Sequence, residues 1–373
     1  MKKKLSRILA MVLSLSLVFA LLAGCSNSDN SNNSNNSNNS NNSNNSNSSD
    51  NNSDSDFQGD PIELKIAHNN AITSPTAVDI QTWCDAIYEA TNGTVTITQY
   101  PSDSLGATSD GLDMLDTGIT DLLWSTTSMF AGMFNWLDIF AQPLMGQESS
   151  VGGTNAIWDI YENEKWAEKI DGDYAGYKIL ITYQSEGGIL GSNDRITCVD
   201  DLKGDVIRSI AGGMSSFVTA CGASGTFMGP ADIYTNLEKG VIDDYVFEWA
   251  GVENFSLGEL TPYFLDMNLY RVPMFIIISD AAWNKLSADQ QAAIESLSYR
   301  EGSLVFAQGN DNTEQAYKDK VEAAGTELIK PTDEAYAEFV SIAESVWADS
   351  IANLGSDGQE YFDAVVASIE ANK

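Results

Sequence analysis

The stretch from Asp200 to Trp249 constrains this chain most, because apolar runs, helical spacing and glycines alternate along it. Asp205 to Ile210 is a short apolar run holding one cation, Arg208. Gly212 and Gly213 interrupt it. Met214 to Cys221 then has helical spacing, closed by Gly222 and Gly225, and Thr226 to Met228 reads as a second strand. Pro230 suits a helix start, where its missing N–H costs nothing. Ile233, Tyr234 and Leu237 share one face of that helix, and Gly240 suits its C′ position. Val241 to Phe247 reads as a third strand. Such alternation predicts an α/β domain with a largely parallel sheet. Ligands in these sheets bind beyond the carboxyl ends of the strands, where Arg208, Phe247, Glu248 and Trp249 fall.

Arginine is scarce. Beyond the first 24 residues only Arg195, Arg208, Arg271 and Arg300 remain. An arginine at a strand end, facing a helix that begins with glycines, suits a bidentate grip on a carboxylate. It also suits an ordinary surface ion pair. The surrounding pattern is more specific. Asp201-Leu-Lys-Gly204, the run to Arg208, a helix, and then Asp232-Ile-Tyr-Thr-Asn-Leu-Glu-Lys-Gly-Val-Ile-Asp243 resemble the DctP-type solute-binding proteins of TRAP transporters. Within that family, Gly240-Val-Ile-Asp-Asp-Tyr-Val-Phe-Glu-Trp249 is most similar to the branch reading GVVDG-x-x-F-P-W-E. The resemblance runs from about Ile62 to about Glu360. It implies a two-lobed, periplasmic-binding-protein-like α/β fold with a hinge and a long helix spanning both lobes. It further implies a receptor rather than an enzyme, with no cofactor. The ligand would be a small carboxylate gripped by Arg208 and delivered to large and small membrane subunits.

The N-terminus carries an address. Lys2, Lys3, Lys4 and Arg7 precede an apolar run from Ile8 to Leu22, as in a secretory leader. The run falls short of the ~20 residues a spanning helix needs, and Leu22-Ala23-Gly24-Cys25 has lipobox form. Residues 1–24 are therefore expected to be a lipoprotein signal peptide, with Cys25 lipidated and anchored in the bilayer. Within residues 25–57, Ser26 to Asp56 is almost pure Asn and Ser with scattered Asp, without apolar side chains to bury. They read as a disordered tether with an r.m.s. span of roughly 30 Å.

Charge narrows the function classes. The chain holds 19 Lys and Arg against 53 Asp and Glu, a net charge of −34. Loss of Lys2, Lys3, Lys4 and Arg7 with the leader takes it to −38. This argues against nucleic acid and against adhesion to anionic lipid, so any anion site must be a local island. Beyond Cys25, Cys84, Cys198 and Cys221 allow at most one disulfide and have no zinc spacing. The one histidine, His68, excludes His-rich metal sites and most His-based triads.

Ile62 to His68 alternates as a first strand, followed by a helix opened by Ser74-Pro75 and a strand from Val95 to Tyr100. His68 stands where the family's first strand meets the cleft; a buried core histidine is the alternative. Trp124 and Ser125, at the end of the strand after Gly118, match a Trp-Ser pair often present in the branch and are expected to wall the ligand. Asn155 to Ile170 reads as one covering helix. Gln184 to Gly188 is the expected first crossing between lobes, with Gly187-Gly188 suited to a hinge. The domains are accordingly lobe 1 at 58–183, lobe 2 at 184–270, and a return to lobe 1 at 271–373. Ser287 caps a helix with Gln290 in the capping-box position, and this helix is expected to run to about Ala324.

Four positions depart from the family. Glu186 replaces the arginine or polar residues common near the crossing; facing the cleft, it would disfavour a dianion and favour a ligand with a cationic or hydroxyl group or a bound metal, and facing solvent it would carry no meaning. Ser209-Ile210 stands where proline is common, Asp244 where glycine is preferred, and Glu248 where the branch has proline. Glu248 is either a new ligand contact or a solvated substitution. Other readings stay open. One is a ligand sensor for a signalling system on the same fold. Another is an ABC-type binding protein, which the Arg208 motif and the long helix disfavour.

Overall fold

The computed structural model describes residues 59–373. The leader, Cys25 and the Asn/Ser tract lie outside the described residues. The chain runs β1 (Ile62–Ala67), α1 (Pro75–Ala90), β2 (Val95–Tyr100), α2 (Gly111–Asp116), β3 (Leu122–Thr126), α3 (Asn135–Asp138), α4 (Ser150–Tyr161), α5 (Glu164–Asp173) and β4 (Tyr177–Gln184). It continues β5 (Gly188–Ser192), β6 (Val206–Arg208), α6 (Gly213–Ala220), β7 (Ser224–Thr226), α7 (Pro230–Glu238), β8 (Asp244–Glu248), α8 (Trp249–Asn254) and β9 (Tyr263–Leu265). It ends β10 (Pro273–Ser279), α9 (Asp280–Trp283), α10 (Ala288–Glu295), α11 (Tyr299–Ala323), β11 (Glu327–Ile329), α12 (Asp333–Asn353) and α13 (Gly358–Ala371).

Two sheets result. The first has the order β2-β1-β3-β10-β4, with β1 parallel to β2 and β3, and β10 antiparallel to both neighbours. The second has the order β11-β9-β5-β8-β6-β7, with β6 parallel to β7 and β8, and β5 antiparallel to β8 and β9. Helices flank both, giving the two-lobed α/β architecture. Every residue of β10 is buried, as its unbroken apolar run requires. One core cluster is continuous from Ile66 and Ile276 of the first sheet to Val246 and Leu265 of the second, by way of Tyr183, Leu190 and Tyr270.

Three connections join the sheets, and they meet at one place. The chain crosses at 185–187, returns at 266–272, and passes along α11, which packs on α4 and β4 at one end and on α8 at the other. The two crossing segments pair with each other: Gly188 N donates to Tyr270 O at 2.8 Å, and Ser185 N to Val272 O at 3.0 Å. Glu314 of α11 pins both, accepting from Gly187 N and from the buried Arg271, each at 3.1 Å. Neither Gly187 nor Gly188 has positive φ. Gly188 is needed for close packing instead: a Cβ there would lie 2.2 Å from the Tyr270 ring.

Several local expectations shift. The covering helix is two helices, because Asn163 Oδ1 accepts from Lys165 N and opens α5. The capping box at Ser287 and Gln290 forms, but the helix it starts ends at Glu295. Tyr299 takes a left-handed φ of 57° and α11 begins afresh. The strand expected at Thr226–Met228 is Ser224–Thr226, which leaves Phe227 in a loop. Residues 271–373 do not all return to the first sheet. β11 adds to the second sheet beside β9, and α12 packs Phe339 on Phe217 of α6, ring centroids 6.3 Å apart. After α12, α13 packs back on α4.

Candidate ligand-binding site

A cavity of about 380 Å³ opens between the sheets, at the carboxyl ends of β1, β3, β6 and β8. Each strand end delivers side chains to it for the same reason: the next turn leads the chain away and leaves the last residues facing the gap. From the first sheet come Asn69, Asn70, Trp124, Ser125 and Thr126; from the second come Arg208, Phe247 and Glu248.

Arg208 is 2 % exposed. Its Nη1 donates to Val246 O at 2.8 Å and its Nε to Met228 O at 3.3 Å. Its Cζ lies 4.7 Å from the Phe247 ring centroid, a cation–π contact. Among the described residues no carboxylate forms an ion pair with it. Burial pulls its pKa down, while the nearby Tyr270 and Glu248 oppose that. The guanidinium is therefore oriented by carbonyls and a ring, with no contact ion pair among the described residues.

Glu248 lines the same cavity and is 7 % exposed. Burial raises its carboxyl pKa, and its own backbone N–H, Arg208 and the Tyr270 hydroxyl act the other way. The buried Ser125 Oγ has no hydrogen-bond partner among the described residues. Trp124 is fixed by its Nε1, which donates to the Tyr183 hydroxyl at 3.0 Å.

Three expected site residues do not line the cavity. Trp249 is fully buried beneath it, packed on Phe264 with centroids 5.3 Å apart, because α8 begins at this residue and turns its side chain into the core. His68 is fully buried too, and its Nε2 bonds Gln99 Oε1 at 2.9 Å. Burial lowers its pKa, and the next two residues, Asn69 and Asn70, reach the cavity instead. Glu186 sits inside the crossing segment, buried near Glu314, Glu248 and Arg271, with its carboxyl pushed up to about 8 by burial. Its Oε2 has no hydrogen-bond partner among the described residues.

Sequence reasoning passed over Asn69, Asn70, Asp103, Phe227 and Phe255, which all line the cavity. The strand-end rule that marked Arg208 would have found the two asparagines. Asp103 was hidden in a turn, where its Oδ1 accepts from Thr108 N and Oγ1. Phe227 is 54 % exposed at the rim.

Among the described residues no cluster of three or more His, Cys, Asp or Glu is placed to hold a metal ion, and no helix is long and apolar enough to cross a membrane. Cys84, Cys198 and Cys221 are free thiols; burial pushes Cys84 and Cys221 up to about 12.

Comparison with known proteins adds a family. The model of DctP, bacterial extracellular solute-binding protein, family 7, matches residues 66–353. The C4-dicarboxylate-binding periplasmic protein DctP of Rhodobacter capsulatus is 23% identical over 315 residues, covering 80% of this chain and 89% of that protein. The fold is similar to that of a marine metagenome TRAP solute binding protein specific for aromatic acid ligands, in complex with 3-hydroxybenzoate. The TM-score is 0.77 at 22% identity, covering 84% of this chain and 99% of the other. It is also similar to a TRAP periplasmic solute binding protein from Bordetella bronchiseptica with bound (R)- and (S)-mandelate. There the TM-score is 0.74 at 24% identity, covering 84% and 100%.

Proposed function

We propose, from the premise that this chain belongs to the DctP family of bacterial extracellular solute-binding proteins, that it is the receptor of a TRAP-type secondary transporter. It captures a small organic carboxylate outside the cytoplasmic membrane and hands it to the large and small membrane subunits. The single observation that carries this reading is Arg208: a buried cation, lining a cavity, oriented by backbone carbonyls and without an acid partner. A ligand carboxylate would complete its charge with bidentate bonds. Phe247, Phe255 and Trp124 give the cavity an apolar wall suited to an aromatic or branched acid body. The acids held by the two similar structures support that choice.

Capture proceeds by closure of the two lobes about the crossings at 185–187 and 266–272. Only the difference in ligand affinity between open and closed forms drives it. Hydrogen bonds to charged groups are worth ~1.5–3 kcal/mol, so Arg208→Ala should weaken carboxylate binding about a hundredfold. Isothermal titration of the best acid from a thermal-shift screen tests this, and unchanged affinity in the variant refutes the role. The Cys25 anchor keeps the receptor beside its membrane partners. Cys25→Ser should move the protein from the membrane fraction to the medium or periplasm, and continued membrane retention would refute the anchor.

A further inference from the structure

Arg208 and Glu248 place opposite charges at one end of the cavity. They leave adjacent parallel strands, β6 and β8, with Arg208 in register with Tyr245. Both line the cavity, and each feels the other's charge. They form no ion pair among the described residues: the guanidinium gives Nε and one Nη1 N–H to Met228 O and Val246 O and keeps its other N–H groups for a ligand. A ligand carboxylate that pairs with Arg208 therefore leaves Glu248 facing whatever group the ligand carries next. A second carboxylate there meets like charge. A bare C–H gives the desolvated carboxyl no donor beyond its own backbone N–H and the Tyr270 hydroxyl. Sites built to bond a polar substrate group reject the analogue lacking it far more sharply than apolar pockets reject an extra methylene.

Resting on the reading of the cavity as a carboxylate receptor, we propose that Glu248 determines specificity. It selects monocarboxylic acids bearing an N–H or O–H donor close to the carboxylate, and it excludes dicarboxylates and donor-free acids. The ligand class is thus amino- or hydroxy-substituted acids with an apolar or aromatic body. Arg208 takes the acid end and Glu248 takes the donor.

Four acids share one frame and differ only in one substituent: phenylacetate with hydrogen, mandelate with hydroxyl, phenylglycine with ammonium, and phenylmalonate with a second carboxylate. They are measured by titration and thermal shift on the full chain, alongside matched aliphatic sets, for the wild type, Glu248→Gln and Arg208→Ala. In the wild type the donor-bearing acids should bind at least tenfold tighter than their donor-free partners, with the dianions weakest. In Glu248→Gln the ammonium preference should collapse to within about threefold and the dianions should gain. A misfolded variant would lose all ligands alike, so the selective change is the readout. Equal binding of phenylacetate and phenylglycine by the wild type, or a preference that survives in Glu248→Gln, overturns the inference alone. A wild type that binds no acid in any set overturns the carboxylate reading and this inference together.

Discussion

Arg208 is held by groups that orient it without cancelling its charge. Carbonyl oxygens and an aromatic face offer partial charge only, so the guanidinium keeps its attraction for an anion. Phe247 and Trp249, two residues apart, have different tasks. Phe247 reaches the cavity and stacks under Arg208, while Trp249 has turned into the core. Trp249→Ala should cost about 3–5 kcal/mol of stability, as large core truncations do. Phe227→Ala should leave stability within about 0.5 kcal/mol, as exposed substitutions do, and weaken ligand binding several-fold. Chemical denaturation and titration of both variants check the contrast, and a Phe227 variant that binds normally removes that residue from the site. The difference between these aromatics was not legible in the sequence. Period-2 alternation places Phe247 and Trp249 on one face, but the start of α8 at Trp249 depends on tertiary packing. Arg208 was marked by local strand-end pattern, and Trp124 and Ser125 by likeness to the branch's Trp-Ser pair; all three line the cavity.

At the scale of elements, the segment 185–187 joins the sheets and holds an acid in its middle. Glu186 is buried against Glu314 and Glu248, with Arg271 acting the other way, and its carboxyl is raised from an ordinary 4.5 to about 8. A raised folded pKa means the native state holds this proton more tightly than the unfolded chain. Its contribution is full below pH 4.5 and is lost as pH rises toward 8. Asp244, Asp138 and Asp79 are raised as well, to about 7, 6 and 6, mainly by burial, but they titrate in both proteins of a comparison. Glu186→Gln should therefore flatten the decline in melting temperature between pH 5 and pH 9. The wild type should lose several degrees more than the variant over that range, and parallel melting curves would show that Glu186 does not titrate there. The elements themselves were mostly legible. Helix starts at Ser74, Pro230 and Ser287 and the stop at Gly240 follow from capping chemistry. The break before α11 was not, because it needs a left-handed tyrosine. That residue is held by its hydroxyl on Glu295, 2.9 Å away, and by its ring against Trp158. The addition of β11 to the second sheet was equally hidden, since a three-residue strand carries almost no periodicity.

Taken whole, the molecule sets a strongly anionic body around the cavity proposed to take an anion. The net charge of −34 repels a carboxylate at long range, whereas Arg208 attracts it only after entry into a buried, weakly screened cavity. Salt separates the two effects, because the screening length falls from about 30 Å at 0.01 M to about 10 Å at 0.1 M. Association of a monocarboxylate should therefore speed up several-fold between 10 and 200 mM salt, with dissociation nearly constant. Stopped-flow tryptophan fluorescence would follow it, since Trp124 lines the cavity. This is the reverse of the usual electrostatic steering, in which salt slows encounter. An association rate that falls with salt would mean that local positive potential at the cleft mouth outweighs the body charge. A zwitterionic acid adds a second reading to the same experiment. It carries no net charge for the body to repel, so its association should be nearly flat with salt. An acidic shell would then do more than keep the receptor soluble: it would slow simple anions at the entrance while admitting the class of ligand that Glu248 is placed to hold.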